Sequence, residues 1–171
     1  LLMRGDVLLA AVAGVGCANC SSLIWVYSGR LSQESVGAAP VCAWGPGFEL
    51  PILEGSHHIA SATRFRAVGD EVLYPVGVEH TTEQAGEWAA HKSFGVLYSS
   101  SDRGRSWATR STMGAYQAEM DVLNLGQESN LVAAMRYQTP APGPGPPLPP
   151  EVAGLRPRYK QSAVQFSSDF G

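Results

Sequence analysis

The chain has few charged residues and no long apolar run. Asp, Glu, Lys and Arg make up 16% of its 171 residues, and the formal net charge at pH 7 is −3. A protein that binds nucleic acid needs a basic stripe that neutralises phosphates, and this sequence has none. Its apolar runs all fall short of the roughly 20 residues that a membrane-spanning helix requires. The composition therefore predicts neither a nucleic-acid partner nor a membrane span.

Cysteine is also scarce, and its spacing does not form a metal-binding or disulfide framework. Cys17 and Cys20 form a single Cys-x-x-Cys pair, whereas Cys42 stands apart. A structural zinc site needs a second close pair of ligands. His57 and His58 do not provide that pair, because adjacent residues of a strand point to opposite faces. We therefore expect no bound metal and no redox site.

Glycine and proline are frequent, with 19 and 12 residues, and they leave little room for long helices. Between them lie short apolar runs separated by turn residues, which is typical of an all-β chain. Several runs are apolar on both faces, so we expect sheets that pack on other sheets. Gly69-Asp70 lies between two runs and predicts a hairpin turn. The predicted strands cover residues 7–10, 23–27, 59–65, 71–78, 94–98, 121–125, 130–135 and 163–166.

Three segments allow a second interpretation. Residues 8–15 have the length of the apolar region of a signal peptide, but the further apolar run at 23–27 favours a strand. Residues 82–90 have a helical composition that Gly86 weakens, and we expect an insertion carried on a loop. The Pro-rich loop insertion at residues 140–150 cannot join a sheet, because proline has no N–H to donate. It predicts a stiff connection between strands or, alternatively, a PxxP ligand for an SH3-type domain.

A short motif occurs twice and indicates a repeated hairpin. Residues 98–107 and 166–171 each contain an aromatic-ended strand followed by Ser-x-Asp-x-Gly, and their aspartates are 67 residues apart. In such a turn the aspartate accepts hydrogen bonds from following amides, the glycine supplies a positive φ and the serine caps the loop. Without the Pro-rich insertion, the separation approaches the roughly 40–50 residues of a four-stranded propeller blade. The expected structural residues are Ser100, Asp102, Gly104, Trp107, Ser167, Asp169 and Gly171.

The first copy of this motif carries a resemblance to a known family. Residues 100–107 match the Asp-box, or BNR repeat, of the exo-α-sialidases, with the pattern Ser-x-Asp-x-Gly-x-Ser-Trp. Residues 72–76, Val-Leu-Tyr-Pro-Val, resemble the strand that precedes an Asp-box blade in that family. Glu119 and Arg136, 17 residues apart, resemble the glutamate and arginine of the next blade. The resemblance follows the order of segments over roughly residues 1–171 and is strong over 71–136 and 160–171. It implies a partial six-bladed β-propeller of sialidase type with Asp-box hairpins, about three blades truncated at both ends.

The resemblance implies an exo-sialidase, a glycoside hydrolase that releases terminal sialic acid or a related acidic sugar. Glu119 matches the catalytic glutamate that takes the proton of a tyrosine nucleophile. Arg136 matches one of three arginines that bind the sugar carboxylate. The implied partner is a sialylated or other acidic glycan, and no cofactor is implied. The sequence leaves the compartment open, with an extracytoplasmic or secreted location slightly favoured. No oligomeric state is implied.

One segment departs from the family pattern. The first blade of a sialidase carries an arginine and an acid/base aspartate between two strands, whereas residues 13–20 contain neither. Asn19, the nearest polar residue, cannot donate a proton as a carboxylic acid does. The nucleophile and the last arginine are expected beyond Gly171, since Tyr116 and Tyr137 do not match the nucleophile's place. The alternative interpretation is a non-catalytic Asp-box propeller, a scaffold that binds carbohydrate or protein.

Overall fold

The protein is an all-β structure in every part of the chain that the computed structural model describes. The described residues are 2–4, 7–14, 23–32, 39, 41–53, 56–59, 64–80, 93–115, 117–126, 130–137 and 161–167. Within them the chain forms thirteen strands, and the predicted all-β class is confirmed. No helix in these ranges is long and apolar enough to cross a membrane. The strands pair into three antiparallel sheets, here named A, B and C in the order of the sequence.

Sheet A contains β1 (Leu2–Arg4), β2 (Val7–Gly14), β3 (Leu23–Ser32), β4 (Val41–Trp44) and β5 (Phe48–Glu49). The strands pair in the order β1-β2-β3-β4, and β5 pairs with β3. β2 and β3 form a regular ladder from Val7 opposite Arg30 to Gly14 opposite Leu23. The first two predicted apolar runs therefore form the central hairpin of this sheet.

Sheet B contains β6 (Ser56–Ile59), β7 (Arg66–Val68), β8 (Glu71–His80), β9 (Ser93–Ser100) and β10 (Ala108–Ala115). The pairing order is β10-β9-β8-β6, and β7 pairs with the start of β8. Gly69 has φ +56° and turns the chain between β7 and β8, as the hairpin prediction requires. Of the strand predicted over residues 59–65, Ile59 is the last residue of β6, residues 64 and 65 belong to no strand, and residues 60–63 lie outside the described part of the chain.

Pro75 lies in the middle of β8, where a proline would normally remove a hydrogen bond from the ladder. On one side of β8, β7 pairs with residues 71–73 and β6 pairs with residues 77–80. Pro75 lies in the interval between these two partners. Neither strand reaches it, so that side of β8 tolerates a residue without an N–H.

Sheet C contains β11 (Gln117–Asn124), β12 (Leu131–Tyr137) and β13 (Gln161–Ser167), paired in that order. Gly126, with φ +84°, turns the chain between β11 and β12. The amide of Leu125 donates to the carbonyl of Asn130 at 3.0 Å and closes this connection. Every residue of β12 has a partner on β13, so β12 is the central strand of the sheet.

The three sheets stack face to face, and sheet B lies in the middle with both faces buried. Tyr74 and Val76 of β8 belong to the core shared with sheet A, whereas Leu73 belongs to the core shared with sheet C. This arrangement confirms the expectation that strands with apolar residues on both faces belong to sheets packed on other sheets. The first core contains Val7, Leu9, Ile24, Val26, Leu50, Phe65, Val72, Tyr74, Val76, Val78, Val96, Tyr98 and Trp107. The second contains Val68, Leu73, Leu97, Met113, Met120, Val122, Leu131, Ala133 and Met135.

Several predicted features lie outside the described residues. These are the possible insertion at 82–90, the Pro-rich insertion at 140–150, Asn19 with its neighbours, and Asp169 and Gly171 of the second motif. Ser167, the first residue of that motif, is the last residue of β13.

Candidate functional site

Glu119 and Arg136 occupy paired positions on neighbouring strands of sheet C. β11 and β12 run antiparallel, and their register places Glu119 opposite Arg136. The ladder shifts between Gln117 and Glu119, immediately before this pair. One hairpin therefore brings an acidic and a basic residue, 17 positions apart in the sequence, to adjacent places at one end of the sheet. The side chains of both residues lie outside the described part of the structure.

β11 is held against sheet B directly after Glu119. Met120 and Val122 are buried in the second core. Between them, the carboxylate of Asp121 accepts two hydrogen bonds from the guanidinium of Arg66, at 3.1 and 2.5 Å. The three residues that follow Glu119 are thus fixed by packing or by a bidentate ion pair. This anchoring positions the backbone of Glu119.

The ion pair of Arg66 and Asp121 connects sheet B to sheet C. The two side chains are 27% and 37% exposed, so water screens their charges. Pairs of this kind contribute about 0.2–1 kcal/mol, and the fork of two parallel bonds adds geometric specificity. No motif in the sequence indicates this pair, because its members are 55 residues apart and meet only when the sheets stack.

Asp102 is the centre of the turn formed by residues 100–107 between β9 and β10. Its carboxylate accepts four hydrogen bonds of 2.6–2.9 Å, donated by the amides of Arg105 and Ser106 and by the hydroxyls of Ser100 and Ser106. Burial by itself raises the pKa of Asp102, but these hydrogen bonds outweigh it, and the pKa lies below its ordinary value. The carboxylate is therefore a charged acceptor that closes the turn, in the manner that the sequence predicts for this position.

Gly104 and Trp107 complete the turn and attach it to the core. Gly104 has φ +83°, a conformation that glycine adopts without steric cost. Its amide donates to Ser100 Oγ at 2.8 Å, and its carbonyl accepts from Trp107 Nε1 at 3.1 Å. The buried indole ring lies near the rings of Phe65 and Tyr74, with centroid distances of 5.7 and 6.2 Å. These contacts give both residues structural roles.

The same turn also contacts sheet A. Gly104 lies so close to Leu9 of β2 that a Cβ atom would overlap the leucine side chain. Ser28 of β3, the ladder partner of Leu9, donates its hydroxyl hydrogen to the carbonyl of Arg103 at 3.2 Å. The turn therefore joins two sheets, which the motif alone does not reveal.

A buried hydrogen-bond network around Tyr98 also escapes sequence reasoning. Tyr98 Oη donates to the carbonyl of Pro51 at 2.7 Å and lies 2.9 Å from His58 Nε2. Since a phenol has one proton and Pro51 accepts it, His58 Nε2 carries the hydrogen that it shares with Tyr98. Burial raises the pKa of Tyr98, so its phenol stays neutral. Tyr98 is fully buried, and we assign it a structural role.

A cleft of about 280 Å³ lies between sheets B and C, beside β10 and β13. Leu97 and Met113 line it from sheet B, and Val122, Leu131 and Phe166 line it from sheet C. The residues known to line the cleft include none with a charge. Ser111, Thr112, Gln165 and Ser167 also line it, so the cleft presents neutral polar groups as well as apolar surface.

The fold and the described residues define a class, an all-β protein of stacked antiparallel sheets. No family model matches the chain, and no curated protein matches it. Its function is therefore argued from its own residues and their geometry.

Proposed function

We propose that the chain belongs to a glycoside hydrolase of exo-sialidase type, which releases terminal sialic acid or a related acidic sugar from glycans. The observation that carries the proposal is the pairing of Glu119 with Arg136 in the ladder of β11 and β12. The two residues that the family resemblance singles out are neighbours in the fold, although nothing in the resemblance specifies their register.

Hydrolysis of a sialoside needs an acidic residue and a basic residue close together, and Glu119 and Arg136 provide them on β11 and β12. Arg136 binds the carboxylate of the sugar, because a guanidinium stays charged and makes two parallel charge-assisted hydrogen bonds. Glu119 takes the proton of a tyrosine nucleophile. A neutral phenol is the suitable nucleophile, since a carboxylate would be repelled by the carboxylate of the substrate. Tyr98, buried and bonded to Pro51, does not serve as that nucleophile.

The fold proposed with this function is a six-bladed β-propeller, in which sheets A, B and C are consecutive blades. Face-to-face stacking of three antiparallel sheets in sequence order supports this arrangement. The hydrogen bonds of Asp102 and the positive φ of Gly104 support an Asp-box interpretation of residues 100–107.

A second candidate function is a non-catalytic scaffold that binds carbohydrate or protein. The observation that favours it is the absence of an arginine and an aspartate from residues 13–20, where the family resemblance implies both. On this alternative, Glu119 and Arg136 have no special role, and no residue of the chain performs hydrolysis.

The test combines turnover with binding. Hydrolysis of a fluorogenic α-linked sialoside is measured for the full-length protein, which includes the tyrosine nucleophile expected beyond Gly171, and for its Glu119→Gln variant, with Glu49→Gln, an exposed residue of β5, as the matched control. Loss of the proton acceptor should lower turnover about a hundredfold or more, whereas the control should leave it unchanged. Equal turnover in wild type and Glu119→Gln would exclude Glu119 from the mechanism.

Binding of N-acetylneuraminic acid, followed by saturation-transfer NMR, separates the two candidates. Binding without turnover that Arg136→Lys leaves unchanged supports the scaffold. Binding that Arg136→Lys weakens supports the sialidase, because lysine keeps the charge and loses the two-bond fork. A full-length protein, including the residues expected beyond Gly171, that neither binds the sugar nor hydrolyses the sialoside contradicts both the sialidase and a scaffold that binds sialic acid.

A further inference from the structure

Two acidic residues lie on the same face of β11. Glu119 is opposite Arg136 in the ladder with β12, and Asp121 is opposite Ala134. Because strand residues alternate between faces, positions 119 and 121 share a face and are about 7 Å apart along the strand. A negative charge on Asp121 therefore lies near the residue that the proposed function requires as a proton acceptor.

Arg136 occupies a diagonal position relative to Asp121. The ladder partner of Asp121, Ala134, and Arg136 are alternate residues of β12. Diagonal neighbours in an antiparallel ladder are about 7–8 Å apart, within reach of long side chains. An Asp121 without another partner would therefore compete with the carboxylate of a sugar for Arg136.

Arg66 of β7 gives Asp121 that other partner. Nε and Nη2 of the guanidinium donate to the two carboxylate oxygens, at 3.1 and 2.5 Å. The amide of Val122 also donates to Oδ1, at 2.9 Å. Both oxygens of Asp121 are thus engaged, and the positive charge of Arg66 offsets the negative charge at close range.

The other charged groups near β11 come from the strands packed against it, which are β7, β8, β9 and β12. The charged or titratable residues of these four strands are Arg66, Glu71, Tyr74, Glu79, His80, Tyr98, Arg136 and Tyr137. Tyr74 and Tyr98 belong to the core shared with sheet A, and His80 is on the same face of β8 as Tyr74. Glu79 is on the face of β8 turned to sheet C, and its charge is the same in all the variants below. Tyr137 lies on the opposite face of β12 from Arg136.

We propose that Arg66 is a positioning residue of the candidate site formed by Glu119 and Arg136. By binding Asp121, it keeps that carboxylate from occupying Arg136 and offsets its repulsion of Glu119. The inference rests on the proposed function for the roles of the glutamate and of Arg136. It goes beyond the anchoring of β11, because it assigns an effect of charge that a neutral anchor would not have.

The first test is the titration of Glu119 in the full-length protein at low ionic strength, followed by NMR of isotope-labelled glutamate side chains and assigned with Glu119→Gln. Arg66→Ala leaves the charge of Asp121 without a counter-charge and should raise the pKa of Glu119 by about 0.5, the effect of one charge at about 7 Å in a hydrated site. Asp121→Asn leaves Arg66 without a counter-charge and should lower this pKa by a similar amount. The double variant should return close to the wild-type value.

Arg110→Ala is the matched control. Arg110 and Glu71 form an ion pair inside sheet B, with side chains 24% and 37% exposed, close to the 27% and 37% of Arg66 and Asp121. Glu71 is the first residue of β8, whereas Met120 packs on the ladder row of residues 77 and 95, towards the other end of that strand. The control should therefore leave the titration unchanged.

Two results of the titration would overturn the proposal. One is an equal change in Arg66→Ala and Arg110→Ala, and the other is a double variant that keeps the raised pKa of Arg66→Ala. If Arg66→Ala does not fold, Asp121→Asn decides alone. A pKa of Glu119 that stays at its wild-type value in Asp121→Asn would then contradict the charge effect.

The second test uses turnover of the sialoside by the full-length protein. Arg66→Ala should raise KM about three- to fivefold, the effect of a competing exposed ion pair, because Asp121 then occupies Arg136. The acid limb of the pH–rate profile should move up together with the pKa of Glu119. Addition of Asp121→Asn should restore both, and a loss of kcat that it does not restore would contradict the proposal. Absence of turnover in the wild type would contradict the proposed function, whereas the titration of Glu119 still decides the effect of Arg66.

Discussion

Gly104, in the turn between β9 and β10 of sheet B, packs directly on Leu9, a buried residue of β2 in sheet A. The turn needs glycine for two separate reasons, its φ of +83° and the absence of a Cβ towards Leu9. Local conformation and packing between sheets A and B therefore select the same residue.

Gly104→Ala should lower the free energy of unfolding by about 2–4 kcal/mol, because the left-handed conformation and the overlap with Leu9 both add to the cost. Gly126→Ala is the matched control, since Gly126 has nearly the same φ, +84°, and no atom of the described residues lies within 4 Å of the position of its Cβ. The control should cost about 1–2 kcal/mol. Urea unfolding measures both, and equal losses would show that contact with Leu9 adds nothing.

The low pKa of Asp102 makes the stability of the turn depend on pH. A carboxyl group whose pKa is lowered by folding stabilises the protein above the ordinary aspartate value of about 3.9, and this stabilisation is lost as the pH falls through the lower folded value. Asp102→Asn should therefore lower stability at neutral pH by about 1–2 kcal/mol, discounted for solvent exposure. The difference from wild type should shrink in acid.

Ser106→Ala tests the cause of that pH dependence. Ser106 donates both its hydroxyl and its amide to Asp102, and the substitution removes only the hydroxyl bond. The pH dependence of unfolding should become weaker than in wild type but stronger than in Asp102→Asn. A pH profile identical to that of wild type would mean that the hydroxyl does not lower the pKa of Asp102.

Tyr98→Phe should destabilise the protein without creating a large cavity. It leaves the carbonyl of Pro51 and His58 Nε2 without their bonds to the phenol, at a cost of about 1–3 kcal/mol. Tyr27→Phe, at a half-buried position of β3, should change stability by less than about 0.5 kcal/mol. Thermal unfolding compares the two, and equal effects would show that the buried network contributes nothing.

Arg66→Ala should loosen β11 beside Glu119. The substitution removes the two hydrogen bonds to Asp121, so amides of residues 117–124 should exchange about fivefold faster if about 1 kcal/mol of local stability is lost. Arg110→Ala is the control, because Arg110 pairs with Glu71 inside sheet B, at 2.7 Å. Unchanged exchange in β11 on Arg66→Ala would show that packing alone positions this strand.

Sequence reasoning found the elements whose signals are local. The alternating apolar residues around Val76 and the turn at Gly69 indicate strands and a hairpin, because side-chain period and backbone conformation are properties of neighbouring residues. β10 was not predicted, since it lies at an edge and Met113 is its only apolar residue known to be buried. The strand predicted over 59–65 does not include residues 64 and 65, because apolar composition does not specify where a strand ends.

By itself, the sequence determined the all-β class and the chemistry of the 100–107 turn, where Asp102 and its partners lie within a few residues of one another. Only the tertiary structure decided that Arg66 reaches Asp121 and that Gly104 rests on Leu9. Both contacts cross between stacked sheets, and the order and spacing of the sheets depend on the packing of all the residues in the two cores. Contacts of this kind leave no pattern in a short stretch of sequence, because each partner is selected by the packing of all the others.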